Sequence, residues 1–354
     1  MRVPVLDSRK RPLMPCTPKR ARCLLDQGKA SAYWNKLGVF CIILKKEVEP
    51  NNQKIVVGID PGSKFEGWSV VGTKDTILNG MSEAVTHVKD AIEVRRNMRR
   101  ARRHRNLWRR EARFNNRCRN KEFLPPSTRA RWQAKLRILV QLKGILPISD
   151  VVVEDICAAT KKGCKRWNSN FSPIEAGKQW FYKEIKKLDF NLHLKQGYET
   201  KELRDKFCLK KTSQKDKQTF YSHAVDAWVL AASISGALKP SWLGLFYWVP
   251  IRFHRRQLHA LQPSKGGIRR LYGGTRSLDL TRGTLVRHSK FGLTYIGGTL
   301  KGRVSLHSLR SGKRVTQGAK ILDCRILTRI SWQGTLLSGL KTGVSATPAP
   351  HEVL

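Results

Sequence analysis

The chain has 354 residues, and its 69 lysines and arginines against 26 aspartates and glutamates give a formal net charge of +43. Such a charge makes a domain repel itself, so the composition predicts a polyanionic partner, with nucleic acid favoured over an acidic membrane. The charge alone would permit disorder, but 40% apolar residues with 10 Trp and 12 Phe are enough for a hydrophobic core. The length favours two or three modest domains.

The sequence does not predict secretion or membrane insertion. Met1-Arg2-Val3-Pro4 does not open a signal peptide, and Asp226 and the pair Lys239-Pro240 interrupt the longest apolar stretches. The eight cysteines include no C-x-x-C pair. We therefore expect reduced thiols in a cytoplasmic protein, rather than a disulfide framework or a zinc site.

The first fifty residues have the pattern of a small basic module. Residues 3–6 predict a strand, and residues 33–44 predict one or two more. Between them, Thr17 is a suitable N-cap, Pro18 suits the first helical position, and Gly28 is a suitable stop, so a helix is expected.

Residues 54–80 predict strands. The apolar run from residue 55 ends in Asp60 and is broken by Pro61-Gly62. A continuous apolar run of this length is typical of a strand in the middle of a sheet that is covered on both faces. Residues 67–72 predict a second strand and residues 76–78 a third.

Residues 95–119 contain 12 arginines and a single acidic residue, Glu111. Residues 88–124 contain no proline or glycine, so a long helix is allowed. At 100° per residue, five apolar residues fall in one sector: Val94, Met98, Ala101, Trp108 and Ala112. Repulsion between like charges destabilises a helix that is surrounded by solvent, although a solvated charged face remains the alternative interpretation of this segment. We therefore expect the apolar sector to contact protein and the arginines to contact nucleic acid.

The arginines assigned to nucleic-acid binding are Arg95, Arg96, Arg99, Arg100, Arg102, Arg103, Arg105, Arg109, Arg110 and Arg113.

The rest of the chain alternates helices and strands before it turns to β structure. The expected elements are helices at 129–148, 173–188 and 221–235, and strands at 150–156 and 190–194. The six lysines of residues 201–217 favour a mobile or nucleic-acid-facing stretch. From Pro240 onward, short apolar runs between paired glycines predict a small barrel or sandwich, and 19 basic against 3 acidic residues favour nucleic acid there too.

Three carboxylates occupy unusual positions. Asp60 and Glu154 end apolar strands, and Asp226 lies on an apolar helix. Carboxylates are rarely placed on such elements without a partner, so the three predict a site for Mg²⁺, with Mn²⁺ as the alternative ion. Two ions about 4 Å apart could activate water and stabilise the leaving oxygen of a phosphodiester. His223, on the same helical face as Asp226, could bind, orient or transfer a proton.

Each carboxylate alone also has a simpler interpretation. Asp60 could be a turn residue, Glu154 and Asp155 could face lysines at a strand end, and Asp226 could pair with an arginine. The three together, in the order strand, hairpin, strand, helix, strand and helix, are a far more specific pattern than any one of them.

This pattern resembles the three split RuvC nuclease motifs. The matching segments are Gly58-Ile59-Asp60-Pro61-Gly62-Ser63, Val153-Glu154 and His223-Ala224-Val225-Asp226-Ala227. The arginine-rich segment resembles the bridge helix of CRISPR type II effectors, and residues 11–22, which contain Pro12-Leu13-Met14-Pro15, resemble the PLMP domain of the IscB family.

One departure separates the chain from the IscB family. IscB proteins carry an HNH nuclease between the second and third RuvC motifs, whereas here 68 residues separate Glu154 from His223 and contain one histidine. The chain is therefore similar to the IsrB family, the HNH-lacking relatives. The TnpB family is less similar, because its cysteine zinc ribbon has no counterpart here.

The resemblance implies an α/β fold: an RNase H-like RuvC core split by an arginine-rich bridge helix, with a small N-terminal PLMP domain and a β-rich C-terminal region. The implied division is 1–52 PLMP domain, 53–87 first RuvC part, 88–122 bridge helix, 123–198 second RuvC part, 199–239 third RuvC part, and 240–354 β-rich region contacting guide RNA and a target-adjacent motif.

The resemblance also implies an RNA-guided DNA nickase. A guide ωRNA would pair with one strand of double-stranded DNA beside a short adjacent motif. A Mg-dependent site of Asp60, Glu154 and Asp226, assisted by His223, would cut the displaced strand. The protein would be a monomer in a ribonucleoprotein of the prokaryotic cytoplasm, associated with the nucleoid when bound to DNA and not with a membrane.

Two other functions fit part of the sequence. A stand-alone RuvC-type nuclease on branched DNA or RNA would explain the carboxylates but not the arginine-rich segment. A non-enzymatic basic RNA-binding protein of ribosomal type would explain the charge but not the carboxylates.

Overall fold

The structure of the chain is a computed structural model. It describes residues 1–103, 124–155, 173–214, 217–250, 276–278, 280–281, 283–300, 302–309, 311–328 and 332–337. The chain divides into two compact units: Met1–Trp248 with the residues from Gly334, and Val249–Gln333.

The first unit begins with a four-stranded sheet of order β2-β1-β4-β3 and one helix. Its elements are β1 (Val3–Leu6), β2 (Pro12–Cys16), α1 (Pro18–Asp26), β3 (Ala30–Trp34) and β4 (Phe40–Leu44). Thr17 Oγ1 accepts a hydrogen bond from the Arg20 backbone N–H at 3.3 Å, and Gly28 follows the helix with φ +64°. The predicted start and end of this helix are therefore confirmed. Strand β2, around the two prolines, was not predicted.

A seven-stranded sheet of order β18-β10-β7-β6-β5-β8-β9 forms the centre of this unit. Its strands are β5 (Ile55–Asp60), β6 (Phe65–Gly72), β7 (Thr76–Glu83), β8 (Asp150–Glu154), β9 (Asn191–Lys195), β10 (Leu245–Pro250) and β18 (Trp332–Leu337). Strands β5, β6 and β7 are antiparallel neighbours, whereas β8 runs parallel to β5, β9 to β8, and β10 to β7. Residues 55–59 are buried, so the prediction of a covered central strand is confirmed.

Several helices accompany this sheet in the first unit. They are α2 (His87–Arg103), α3 (Pro126–Lys143), α4 (Pro173–Lys186), α5 (Gly197–Lys206), a π-helical turn (Phe220–Ala224) and α6 (Val225–Ser235). Helix α6 packs on β5 and β6 with Trp228, Val229 and Leu230 fully buried. Its sequence is apolar all round because the helix is buried all round.

Helix α2 departs from the prediction for its apolar sector. Val94 and Met98 are 57% and 54% exposed, and Ala101 is exposed too, so the expected contact with protein is wrong for these three residues. The physical reason is that α3 turns its apolar side to α4, where the Trp132 and Phe181 rings lie 5.1 Å apart. Trp108 and Ala112 lie outside the described residues.

The second unit is made of β strands. They are β11 (Arg276–Ser277), β12 (Leu280–Thr281), β13 (Leu285–His288), β14 (Gly292–Leu300), β15 (Arg303–Ser308), β16 (Arg314–Ala319) and β17 (Cys324–Thr328), with a 3₁₀ turn at Ile321–Asp323. The last five form an antiparallel sheet of order β16-β15-β14-β13-β17 around Val286, Ile296 and Leu306. The predicted turn to β structure is confirmed, although β10 and β18 join the central sheet instead.

The chain is thus of mixed α/β class, as predicted. Among the described residues, none of the helices has the length and apolar character needed to cross a bilayer.

Candidate active site

Two adjacent parallel strands bring Asp60 and Glu154 together. Strand β5 ends at Asp60 and strand β8 at Glu154, and the register pairs Ile59 with Val153. The two carboxylates therefore stand side by side at one edge of the sheet, and their side chains are joined by a hydrogen bond.

Burial and mutual repulsion perturb both groups. Burial raises the pKa of Asp60 above its ordinary value, and the Asp226 charge adds to the rise, although Lys211 acts in the opposite direction. Burial and then the Asp60 charge raise the pKa of Glu154 to about 7. Two carboxylates in one site cannot both ionise freely, so the pair shares a proton across its hydrogen bond.

Asp226 reaches the same edge from α6, where it lies in the first turn with 4% of its surface exposed. Two glycines permit this approach. A Cβ on Gly58 would lie 1.8 Å from the Ala227 carbonyl oxygen, and one on Gly67 would lie 1.9 Å from that of His223. Only glycine allows the helix backbone to lie this close to the strands.

Two cations hold Asp226. Arg204 Nη1 lies 2.5 Å from Asp226 Oδ1, and Lys211 Nζ donates to Asp226 Oδ2. Lys211 Nζ is also 3.6 Å from Asp60 Oδ2. Burial opposes the positive charge of Lys211, but Asp60, Asp226 and Glu154 together raise its pKa above the ordinary value. Both Asp226 oxygens are thus bonded to protein cations.

Helix α5 closes another side of the site. Thr200 forms a hydrogen bond with the Glu154 side chain, and Gly197 lies near Glu154, where a Cβ would make only an ordinary contact with Oε1 at 3.6 Å. Thr200 and Arg204 are four residues apart, so they lie on one face of α5. Sequence reasoning missed Arg204 and Lys211, because residues 201–217 were expected to be mobile or to face nucleic acid, and it gave no signal for Thr200, which precedes that stretch.

His223 lies in the π-helical turn just before α6 and is buried. Its ring centroid is 5.0 Å from that of Phe65, so the side chain packs beside the start of β6. Short π-helical segments are frequent at functional sites.

The neighbouring carboxylate Asp155 has a different role. Its Oδ1 accepts hydrogen bonds from Lys178 Nζ at 2.6 Å and from the Tyr182 hydroxyl at 3.1 Å. The alternative of a carboxylate facing lysine therefore applies to Asp155, whereas Glu154 faces Asp60. The simpler interpretation of Asp226 as the partner of an arginine also applies, because Arg204 binds Asp226 within the carboxylate cluster.

The carboxylates have the chemistry of a Mg²⁺ ligand set, since this ion prefers oxygen ligands. Across the described ranges, however, no group of three or more His, Cys, Asp or Glu side chains is arranged to hold a metal ion. The hydrogen bonds explain this, because Asp60 and Glu154 bind each other and Asp226 binds Arg204 and Lys211. A metal would replace the shared proton and one or more of these cations.

The arginines predicted to bind nucleic acid are only partly described. Arg95, Arg96, Arg99 and Arg100 lie on α2 with exposed side chains. Arg102 and Arg103 belong to the same helix, while Arg105, Arg109, Arg110 and Arg113 lie outside the described residues.

The fold and site together define an α/β protein with a buried carboxylate cluster at one edge of its central sheet. Residues 3–166 match the model of the RRXRR protein family. This match includes Asp60 and Glu154 and ends before His223 and Asp226.

The chain has a weak structural similarity to T. thermophilus RuvC, solved in complex with a Holliday junction substrate, with 14% identity, a TM-score of 0.27 and coverage of 51% of this chain and 90% of that chain. No curated protein matches the sequence.

Proposed function

We propose that this protein is an RNA-guided DNA nickase similar to the IsrB family. In this proposal a guide ωRNA pairs with one strand of a target beside a short adjacent motif, and a Mg-dependent site cuts the displaced strand. The observation that carries the proposal is the meeting of Asp60, Glu154 and Asp226, from three separate segments, at one sheet edge. The RRXRR match supports it, because this domain is typical of IscB- and TnpB-like nucleases.

The three carboxylates would hold the metal, which when bound would activate a water molecule and stabilise the leaving oxygen of the phosphodiester. The Asp60–Glu154 pair would give up its shared proton on binding the metal, and the Glu154 pKa of about 7 makes this loss accessible near neutral pH. His223 would orient the site or transfer a proton. Gly58 and Gly67 would keep Asp226 close to Asp60.

The guide-dependent part of the proposal rests on charge and exposure. A net charge of +43 needs a polyanion, and Arg95, Arg96, Arg99 and Arg100 are exposed on α2. A protein that delegates sequence recognition to base pairing holds the heteroduplex by its backbone and shape, which requires this kind of surface. The order β7-β6-β5-β8-β9 within the central sheet supports an RNase H-like core.

Substitution of the carboxylates tests the cleavage site. The purified ribonucleoprotein is given a supercoiled plasmid that carries the target, with Asp60→Asn, Glu154→Gln and Asp226→Asn as the variants. Each should lose nicking by at least about 10²-fold while target binding is retained, because ligands rather than guide contacts are changed. Asp205→Asn, an exposed carboxylate of α5, is the matched control. Nicking at the unaltered rate by any of the three variants would contradict the assignment.

Sequencing of the RNA that copurifies with the protein tests the guide. One discrete long RNA is expected. A broad mixture of cellular RNAs would instead support a non-enzymatic RNA-binding protein, and the absence of RNA together with cleavage of branched DNA would support a stand-alone nuclease.

A further inference from the structure

We infer that Lys211 is an internal competitor of the divalent metal ion, and that its ammonium group suppresses metal binding at Asp60 and Asp226 in the free protein. This inference rests on the proposed function, since it concerns the same carboxylates. It adds a residue that the resemblance to RuvC motifs did not include.

The position of the ammonium group carries the inference. Lys211 Nζ donates to Asp226 Oδ2 and lies 3.6 Å from Asp60 Oδ2, so it stands between two of the three proposed ligands. A metal ion bound to both carboxylates would need those same oxygens. Two cations cannot share them at van der Waals distance without strong repulsion.

Lys211, rather than Arg204, is the group that can leave. The Lys211 side chain is 33% exposed, against 20% for Arg204. Arg204 belongs to α5, whereas residue 211 lies in the segment between α5 and the π-helical turn. Its neighbour Thr212 donates a backbone hydrogen bond to Tyr221 at 3.1 Å, which fixes the main chain while the flexible four-carbon stem can move.

The net charge of the carboxylate cluster also supports competition between Lys211 and the metal ion. Arg204 and Lys211 offset two negative charges among the three carboxylates. A divalent ion therefore meets a nearly neutral site until Lys211 withdraws. Removal of this single charge should strengthen metal binding, whereas removal of a charge that does not touch the carboxylates should not.

The test measures Mn²⁺ binding to the full-length protein by the electron paramagnetic resonance signal of free Mn²⁺. Nucleic acid is first removed with nuclease and high salt, because RNA phosphates also bind Mn²⁺. The variants are Lys211→Met, which removes the charge, and Lys211→Arg, which keeps it. The adjacent exposed residue gives the matched control, Lys210→Met. Lys211→Gln is measured in parallel in case Lys211→Met lowers the melting temperature.

Lys211→Met and Lys211→Gln should bind Mn²⁺ at least about tenfold more tightly than the unaltered protein, because a like charge within about 4 Å is removed. Lys211→Arg and Lys210→Met should stay within about threefold, because one keeps the charge and the other is screened by solvent. Equal or weaker binding by the folded charge-removing variants would overturn the inference.

A second substitution separates this inference from the proposed function. Asp60→Asn is added to the Lys211→Met background. Loss of Mn²⁺ binding there places the ion at the carboxylates, so that an unchanged affinity in Lys211→Met alone would sink only the role of Lys211. Mn²⁺ binding that does not depend on Asp60 in either background would instead contradict the metal site of the proposed nuclease.

Discussion

Strand β8 has a carboxylate at each end, and the pKa values of the two carboxylates are shifted in opposite directions. Glu154, at its end, is protonated more easily than an ordinary glutamate. Asp150, at its start, is buried and lies 2.9 Å from His193 Nε2, with Ser149 Oγ at 2.6 Å and Lys54 Nζ at 3.7 Å. Burial alone would raise the pKa of Asp150, but the hydrogen bonds from Ser149 and His193 and the charge of Lys54 lower it below the ordinary value.

The lowered pKa of Asp150 predicts that the stability of the fold depends on pH. A carboxylate whose folded pKa is depressed adds stability above its unfolded pKa of about 3.9, and this contribution is lost as pH falls through the folded pKa. Asp150→Asn should therefore lower the free energy of unfolding at pH 7 by about 1.5–3 kcal/mol, the range for hydrogen bonds to charged groups. The difference should shrink below about pH 4 in urea denaturation. Asp205→Asn is the exposed control, and a difference independent of pH would contradict the explanation.

The residues of the candidate site were only partly predictable. Asp60, Glu154 and Asp226 could be identified because a carboxylate is rarely placed on an apolar strand or helix without a partner. Lys211 and Arg204 did not, because a lysine-rich segment gives no local signal for which cation turns inward. Only their tertiary contacts with Asp226 of α6 distinguish these two residues from their exposed neighbours.

At the scale of elements, the close approach of the π-helical turn to β6 makes Gly67 a sensitive position. Gly67→Ala would force the backbone of His223 away from the strand, since a Cβ would lie 1.9 Å from its carbonyl oxygen. We expect a loss of at least about 2 kcal/mol in unfolding free energy, from overpacking. Nicking should fall by about 10²-fold, because a shift of about 1 Å at a reacting centre has that effect.

Gly72→Ala is the matched control for this change. It lies on the same strand, and its Cβ would meet its nearest neighbour at 3.7 Å, an ordinary contact. If both variants unfold at the same urea concentration and nick equally, the close approach at Gly67 is not required.

Helix α2 gives a second prediction at this scale. Replacing Arg96, Arg99 and Arg100 together by alanine should weaken guide RNA binding. The slope of log affinity against log salt should become shallower by about two to three units, since each neutralised phosphate contributes about 0.7–0.9. Filter binding at several salt concentrations measures this slope. The triple change Lys201, Lys206 and Lys210 to alanine removes the same charge elsewhere and should do less. Equal slopes for both triple variants would show that α2 makes no special contact.

Element types were predicted better than element environments. The apolar run of β5 and the capped helix α1 follow from local patterns that tertiary structure did not override. The exposure of Val94 and Met98 on α2 could not be predicted, because helical periodicity identifies a shared face but not what lies against it. Strand β2 was not predicted, because its two prolines disfavour a strand. Its position at the edge of the sheet tolerates them.

For the whole molecule, the one carboxylate cluster found among the described residues predicts a single cut. A supercoiled plasmid bearing the target should become open circular, with little linear product, and primer extension should map the break to the strand that does not pair with the guide. The Asp226→Asn protein serves as the blank for contaminating nucleases. Rapid formation of linear plasmid by a clean preparation would require a second cleavage centre.

The position of β18 in the sheet has a consequence for folding during translation. This strand pairs with β10 at the edge of the central sheet, yet the whole second unit lies between the two in the chain. On the ribosome, β10 therefore emerges with an unpaired edge and waits until the sheet of β13 to β17 has been synthesised. Exposed strand edges recruit other chains, so the nascent protein is prone to aggregate during this interval. Translation arrested before residue 332 should leave a product that depends on chaperones to stay in solution.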